Sequence, residues 1–451
     1  MRGSEPLPPG PRLPRLLQSL MLTVRPLEFM RACQRRYGDI FTLHTFLHGR
    51  IVYVADPAAI KSIFTGDPEL FHAGEANAAV EPVTGPNSIL LLDDNAHLRQ
   101  RRLLLPPFHG ERVKRYRELI AEITTAEVDR WPVRESFALR PRAQAITLEV
   151  IIRAVFGIED GARLTALRQL LPSIFDLSIA AMLLPWLRRD LGPRSPWGRF
   201  LRARDAVDDL LYDEIRQRRR EAEGERDDVL SLLLRSRDED GDRMSDRELR
   251  DELITLLLAG HETSATAIAW AFERLLRHPR VLERLKGEVA AGETNYLDAV
   301  IDETLRVRPV VMDVARKLTG PATIGGYSLR AGTIVMPAIA LTQLSAANYS
   351  QPNEFRPERF LEDQPTPYTH IPFGGGPRRC LGASFAINEM RVVIPTVLLQ
   401  VELRTDEPEP EAMRLRGITF TPANGARVVV ERRIAPSGNA ETGRLSADAA
   451  R

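Results

Sequence analysis

Between about Asn95 and Ala290, leucine, alanine, arginine and glutamate recur at three- and four-residue spacing, the period of helices that bury one face. Prolines at Pro106-Pro107, Pro132, Pro141, Pro185 and Pro193 divide that stretch into several helices. A charged run from Arg216 to Arg243, apolar only at Val229–Leu234, predicts a solvated helix end and loop. Upstream, Ile40–Phe46 and Ile51–Val54 are short β-prone runs joined by Leu47-His48-Gly49-Arg50, a hairpin pattern, and Asp56-Pro57 marks a helix start. Residues 1–30, rich in proline and arginine, predict an irregular segment. After Pro309 short β-like pieces, Ala315–Leu318 and Thr333–Met336, alternate with the glycine turns Gly325-Gly326 and Ala331-Gly332. A proline-rich stretch, Gln351 to Pro377, leads into one more apolar helix, Leu381–Gln400, and the small polar residues Ala435–Arg451 predict a disordered tail. There is no internal repeat, so the pattern predicts one mainly α domain with a smaller β-rich region over residues 31–434.

One helix stands out. Ser245 and Glu248 form a capping-box pattern and His278-Pro279 ends the run, so Asp246–Arg277 would be about 48 Å long. Its apolar stripe, Leu249, Leu253 and Leu256, continues at Gly260 and Thr263. The hexapeptide Ala259-Gly260-His261-Glu262-Thr263-Ser264 therefore sets a gap and a hydroxyl in an apolar track. A mid-helix glycine costs about 1 kcal/mol relative to alanine, which implies either a neighbour that needs the space or a helix crossing.

Composition narrows the function classes. Of 451 residues 43% are hydrophobic and 27% charged, which excludes a disordered chain and a small disulfide scaffold. A net charge of +1 gives no field for nucleic acid or an anionic membrane. No run approaches the ~20 apolar residues of a membrane span, and prolines precede the short patch Leu16–Leu22, so neither an anchor nor a signal peptide is expected. The two cysteines, Cys33 and Cys380, need no disulfide, and the expectation is a cytoplasmic protein.

The sharpest chemistry lies in Phe373-Gly374-Gly375-Gly376-Pro377-Arg378-Arg379-Cys380-Leu381-Gly382-Ala383. Three glycines let the backbone approach a flat or bulky group, and Cys380 begins an apolar helix whose N-terminus, with Arg378 nearby, favours a thiolate. Such a thiolate is a good axial ligand for haem iron; by itself, a buried structural cysteine fits as well.

This segment resembles the haem-binding signature of the cytochrome P450 family, matched at Phe373, Gly376, Arg378, Cys380 and Gly382. Ala259–Ser264 resembles the family's oxygen-activating motif, with Ser264 where a second threonine is commoner. Glu303-Thr304-Leu305-Arg306 resembles its Glu-x-x-Arg element, and Pro357-Glu358-Arg359-Phe360 the later element whose arginine joins that pair. The resemblance implies the family's triangular helical fold, with haem b (heme, iron protoporphyrin IX) between two long helices and Cys380 as its axial ligand. It implies Glu262 and Thr263 as an acid–alcohol pair delivering protons, with His261 facing away from the iron. Glu303, Arg306 and Arg359 would form a buried triad holding the cysteine loop, and His97, Arg101, Arg316 and Arg378 would meet the propionates.

The implied activity is a monooxygenase that inserts one atom of O2 into a lipophilic small molecule. Electrons would come from a separate ferredoxin- or flavodoxin-type partner with its reductase, since the chain carries no nucleotide-binding glycine loop or Fe–S cysteine cluster. Arg378, Arg379 and neighbouring basic residues would dock that partner. By position, Val83–Leu92, Leu170–Leu187, Ile254–Ala259, Val310–Val314 and Ile418–Thr421 would line the substrate pocket, with Phe175, Met182, Trp186, Met312 and Phe420 as its bulky residues.

Overall fold

A computed structural model describes residues 7–434 apart from 47–48, 109, 158–160, 162, 164, 173, 175–187, 193 and 222–225. The expected turn residues Leu47-His48, the tail 435–451 and the pocket candidates Phe175, Met182 and Trp186 lie outside the described residues.

Helix caps and apolar stripes set the helical body. In chain order the helices that matter below are α1 (Arg15–Val24), α2 (Pro26–Tyr37), α3 (Asp94–Leu104), α4 (Leu139–Phe156), α5 (Asp246–Leu275), α6 (Asn295–Val307) and α7 (Ala383–Gln400). The capping box of α5 forms as expected: Ser245 accepts from the Glu248 N–H and Glu248 accepts from the Ser245 N–H. At thirty residues, α5 is about 45 Å long and is buried along most of its length. It packs on α4 and, through Ala265–Leu275, forms the spine of the largest apolar cluster, which also takes in Phe385, Val393 and Ile394 of α7.

The β region is a sheet of β1 (Ile40–Thr45), β2 (Gly49–Val54), β3 (Phe71–His72), β4 (Arg316–Leu318) and β5 (Ile334–Pro337), ordered β1-β2-β5-β4-β3. The β1–β2 hairpin is antiparallel with Ile40 opposite Val54, whereas β2 and β5 run parallel with Ile51 opposite Ile334. Strand alternation splits the sheet: Ile51 and Tyr53 join one core cluster with α2, while Val52 and Val54 join another with the helix Pro57–Phe64. The hairpin β6 (Met413–Arg416) and β7 (Thr419–Pro422) packs against α5, its Phe420 carbonyl accepting from the Trp270 indole at 2.7 Å.

Two expectations need correction. The first thirty residues are not irregular: α1 lies within them and α2 crosses residue 30, so no boundary falls there. The prolines do not prevent these helices, because Pro14 caps α1 and Pro26 is the first residue of α2, where a missing N–H costs nothing. Buried Gln18 ties α1 to the sheet by accepting from the His44 N–H at 2.8 Å. The charged run 216–243 is not wholly solvated either. Arg218 is buried between Glu214 (2.8 Å) and Asp228 (2.9 Å), and Asp228 caps the helix Val229–Arg235.

Candidate functional site

The cysteine loop is shaped by its glycines. Gly376 adopts φ +65°, and a Cβ there would lie 1.8 Å from the Phe64 carbonyl oxygen; a Cβ on Gly375 would lie 2.5 Å from the Phe64 ring. The glycines thus let the loop pack onto the C-terminus of the helix Pro57–Phe64. Backbone bonds close the turn: Gly374 N–H donates to Ile371 at 3.0 Å and Cys380 N–H to Phe373 at 2.9 Å. Helix α7 begins at Ala383, two residues later than the pattern predicts, with Gly382 as its cap. Gly382 offers its N–H to the Cys380 sulfur, and Arg101 and Arg379 act on it electrostatically, although burial dominates and raises the thiol pKa. The expected help from Arg378 is absent from that set.

Cys380 keeps accessible surface while protein surrounds it, so its sulfur borders interior space rather than the outer surface. On α5, Ala259 is likewise exposed, and Leu256, Leu258, Gly260, Glu262 and Thr263 around it are half-buried, whereas the helix is buried over Leu249–Thr255 and Ser264–Leu275. The Thr263 hydroxyl donates to the Ala259 carbonyl at 2.6 Å. The neighbour that needs Gly260 is Ile151 of α4, which a Cβ would approach to 3.1 Å, so this glycine serves a helix crossing. Thr147 of α4 donates to the His261 carbonyl at 2.8 Å. Glu262 is ion-paired with Arg140 and accepts from Gln144 at 2.5 Å, both on α4. Buried His261 sits 3.9 Å from the Glu262 carboxylate.

The triad assembles. Glu303 and Arg306, both fully buried on α6, meet in two bonds of 2.6 and 2.8 Å, and Arg359 donates to the same carboxylate at 3.0 Å. Arg306 also donates to the carbonyls of Gln343, Pro352 and Glu354, and its guanidinium lies over the Tyr349 ring. Gln343 carries the connection onward, because its side-chain oxygen accepts from the Ile371 N–H at 3.0 Å, and Ile371 opens the turn that leads to Cys380. Sequence reasoning missed Gln343, for which no motif signals a role.

His97, Arg101, Arg316 and Arg378 converge. The charges of Arg378, Arg101 and Arg316 all bear on buried His97, whose pKa falls to about 3, chiefly through burial. Burial pushes Arg316 and Arg378 down to about 10, each also feeling a neighbouring arginine. Arg378 turns inward, donating to the Ile89 carbonyl at 3.1 Å and pairing with Asp93. Asp93 already accepts from the N–H groups of Ala73, Gly74 and Glu75. Three guanidiniums around a neutral imidazole, with a heavily shared Asp93 and an exposed Asp94 bearing on Arg378, leave an excess of positive charge that suits a ligand bearing carboxylates. The donor set therefore fits haem propionates.

A functional candidate that sequence reasoning passed over is Glu389 on α7. Its carboxyl is fully enclosed, and burial pushes its pKa up to about 8 against the nearby Ser264 side chain, which favours the charged form. An acid inside the apolar run Ala383–Gln400 was the available signal. Elsewhere, a cavity of about 360 Å³ opens beside the cysteine loop, lined by Gly110, Phe373, Ser384 and the arginines Arg117, Arg379 and Arg391. Among the described residues no cluster of histidine, cysteine and acids could hold a metal ion, and no helix is long and apolar enough to cross a membrane.

Comparison with known proteins agrees over nearly the full length. The family profile described as Cytochrome P450 matches residues 7–427. The chain is 46% identical to putative cytochrome P450 135B1 of Mycobacterium tuberculosis over 94% of this chain and 91% of that one. It is 41% identical to putative cytochrome P450 138 of the same organism, covering 95% and 97%. Among solved structures, a retinoic acid-bound cyanobacterial CYP120A1 superposes with a TM-score of 0.84 at 24% identity, covering 96% of this chain and all of that one. The haem domain of cytochrome P450DA gives 0.83 at 23%, covering 96% and 98%.

Proposed function

We propose a division of labour among the residues of this chain, which belongs to the cytochrome P450 family. Family membership carries haem-thiolate monooxygenase chemistry with a cysteine as axial ligand. When bound, the haem supplies the site for dioxygen reduction and transfer of one oxygen atom to substrate.

In our reading Cys380 is that ligand. The observation that carries this is a sulfur bordering interior space, held by a glycine-shaped loop and facing the Gly382 N–H. The other cysteine, Cys33, is packed in the apolar cluster with Phe29 and Met30. Arg101, Arg316 and Arg378 neutralise the two propionates and neutral His97 offers them a ring N–H, supported by the excess of guanidiniums brought together there. Glu303, Arg306 and Arg359 hold the loop through Gln343 and Ile371. Phe373, Gly376 and Gly382 shape the turn around the sulfur.

Proton delivery is assigned to Thr263 and Glu262. The Thr263 hydroxyl, half-buried on α5 one turn from exposed Ala259, can hold a water and pass a proton at Oγ1. Glu262 is one residue away and partly exposed, with Arg140 and Gln144 fixing its carboxylate, which suits a group that draws protons from the α4 side.

The substrate is a lipophilic small molecule, and electrons come from a separate ferredoxin- or flavodoxin-type partner. Arg379 and Arg117 beside the cysteine loop offer the docking charge; Arg378, turned inward onto Asp93, and Arg391, paired with Asp298, are dropped from that role. We place the enzyme in the cytoplasm, in keeping with two unpaired cysteines. Oxygen- and NAD(P)H-dependent turnover of a lipophile with surrogate redox partners tests the whole reading. Cys380→Ser should abolish the red-shifted Soret band of the reduced carbon monoxide complex; retention of that band removes Cys380 as ligand.

A further inference from the structure

Helix α1 carries its polarity the wrong way round for a helix on a surface bathed in water. Gln18 is turned inward and is 1% exposed, donating to the Leu13 carbonyl at 2.7 Å and accepting from the His44 N–H. Met21 and Leu22 pack half-buried against the cluster of Phe41 and Leu43. Leu16, Leu20 and Val24 face outward at 67%, 57% and 65% exposure, with Leu17 at 40%. Helical geometry puts these four within an arc of about 100°, one continuous apolar stripe. Phe46, 58% exposed, stands beside it, because its N–H donates to the Ser19 hydroxyl at 2.8 Å. The hydroxyls of Ser19 and Thr23 donate back to carbonyls of the same helix, so little polarity is offered outward.

A lone exposed leucine needs no explanation, but a contiguous stripe marks a surface that something covers. The charges around it say what. Between Pro6 and Leu27 the chain carries Arg12, Arg15 and Arg25 and no acid. All three are exposed, as is Arg50 of β2. His44 of β1 has its pKa lowered by burial and by the charges of Arg50 and Arg15, which places both guanidiniums beside that strand. Among the described residues no ion pair meets any of the four, whereas exposed Arg102, Arg115, Arg216 and Arg432 are each paired with an acid. An apolar stripe flanked by unpaired cations matches a surface of anionic headgroups over acyl chains. A second copy of the chain matches it poorly, since a two-fold axis would set these arginines against their own copies with no acid of the segment between them. The net charge of +1 excludes a field of the whole molecule, but attraction to a membrane surface acts within a Debye length and needs only the local excess.

We infer that the outward face of α1, with Phe46 and the flanking Arg12, Arg15, Arg25 and Arg50, is a docking surface for an anionic lipid bilayer, on which the helix lies in the plane of the interface. Leu16, Leu17, Leu20 and Val24 enter the boundary between headgroups and acyl chains, and the guanidiniums pair with lipid phosphates. The contact is peripheral and reversible, since α1 has ten residues, about half of what a span needs. It goes beyond the monooxygenase reading and does not depend on it.

The test sediments the haem-loaded full chain with sucrose-filled vesicles, either of phosphatidylcholine alone or of phosphatidylcholine mixed equally with phosphatidylglycerol. The chain should bind the mixed vesicles far better than the neutral ones, and binding should weaken as salt rises. Arg12→Gln with Arg15→Gln should lower the partition coefficient by about fivefold for each arginine, and Leu16→Gln with Leu20→Gln by at least about tenfold. No binding to the mixed vesicles, equal binding to both, or binding untouched by either pair of substitutions would overturn the assignment. So would a concentration-dependent dimer in ultracentrifugation that the leucine pair dissolves, since a second copy would then cover the stripe. Should a variant not fold, the comparison of the two vesicle types on the natural chain decides alone. A missing red-shifted carbon monoxide band in the natural chain would sink the haem-thiolate assignment instead, and the sedimentation result is independent of it.

Discussion

Glu303→Gln preserves volume and removes one charge from the most enclosed polar cluster of the molecule. The carboxylate accepts four hydrogen bonds: from Arg306 Nε (2.6 Å) and Nη2 (2.8 Å), from Arg359 Nε (3.0 Å) and from the Arg356 N–H (2.8 Å). A glutamine offers one acceptor oxygen and turns an NH2 group toward the arginine donors, leaving Arg306 and Arg359 buried without a counter-charge. Breaking a buried pair in this way costs about 3–5 kcal/mol. Arg306 retains three carbonyl acceptors, at Gln343, Pro352 and Glu354, which keeps the loss near the lower figure. Unfolding entropy for a chain of this length is on the order of 0.9 kcal/mol per degree, so Tm should fall by about 3–4 °C. Because Gln343 links the triad to Ile371, the haem should also be released at lower denaturant than in the parent. Differential scanning calorimetry and Soret absorbance through a urea titration measure both. A Tm within 1 °C of the parent, with unchanged haem retention, would refute the view that the triad supports the cysteine loop.

Two further outcomes follow from the site. Thr263→Ala should leave folding and haem content intact, since alanine is a better helix former, but divert electrons to peroxide or water; coupling of NAD(P)H to product equal to the parent's would remove Thr263 from proton delivery. Glu389 has a folded pKa near 8, well above the ordinary carboxylate value. The folded state therefore holds a proton that the unfolded state has released, and the parent loses stability as pH rises from about 4.5 to 8, by up to about 1.4 kcal/mol per unit. Glu389→Gln should thus be more stable relative to the parent at pH 8 than at pH 5.5 in urea unfolding. Glu252, also raised to about 8, leaves a residual slope in both proteins. A stability difference independent of pH would show that Glu389 does not titrate in that window.

Local patterns along the chain sufficed for the long helix with its capping box, for the β1–β2 hairpin and for the glycine-rich loop before Cys380, because each is governed by neighbours a few residues apart. The same holds for Glu303 with Arg306, one helical turn apart. The N-terminal helices were misread because prolines act as breakers or as caps according to their position, and what retains α1 is Gln18 bonding to a strand 26 residues later. The C-terminal strands Val401–Thr405, Met413–Arg416, Thr419–Pro422 and Arg427–Arg433 escaped notice because they are short and, Thr419–Pro422 apart, carry charges, and their stability comes from cross-strand pairing.

What the linear order of residues determined by itself was which groups exist and how local turns present them: a cysteine after three glycines, a threonine and an acid within a helix, an acid–arginine pair. Tertiary structure alone decided their company. It aimed Arg378 at Asp93 rather than at the sulfur, bound Glu262 to Arg140 on another helix, and filled the space beside Gly260 with Ile151. The reason is physical: helix and turn formation depend on interactions over a few residues, whereas charge pairing and burial depend on groups 50 to 300 residues apart that meet only when the core closes.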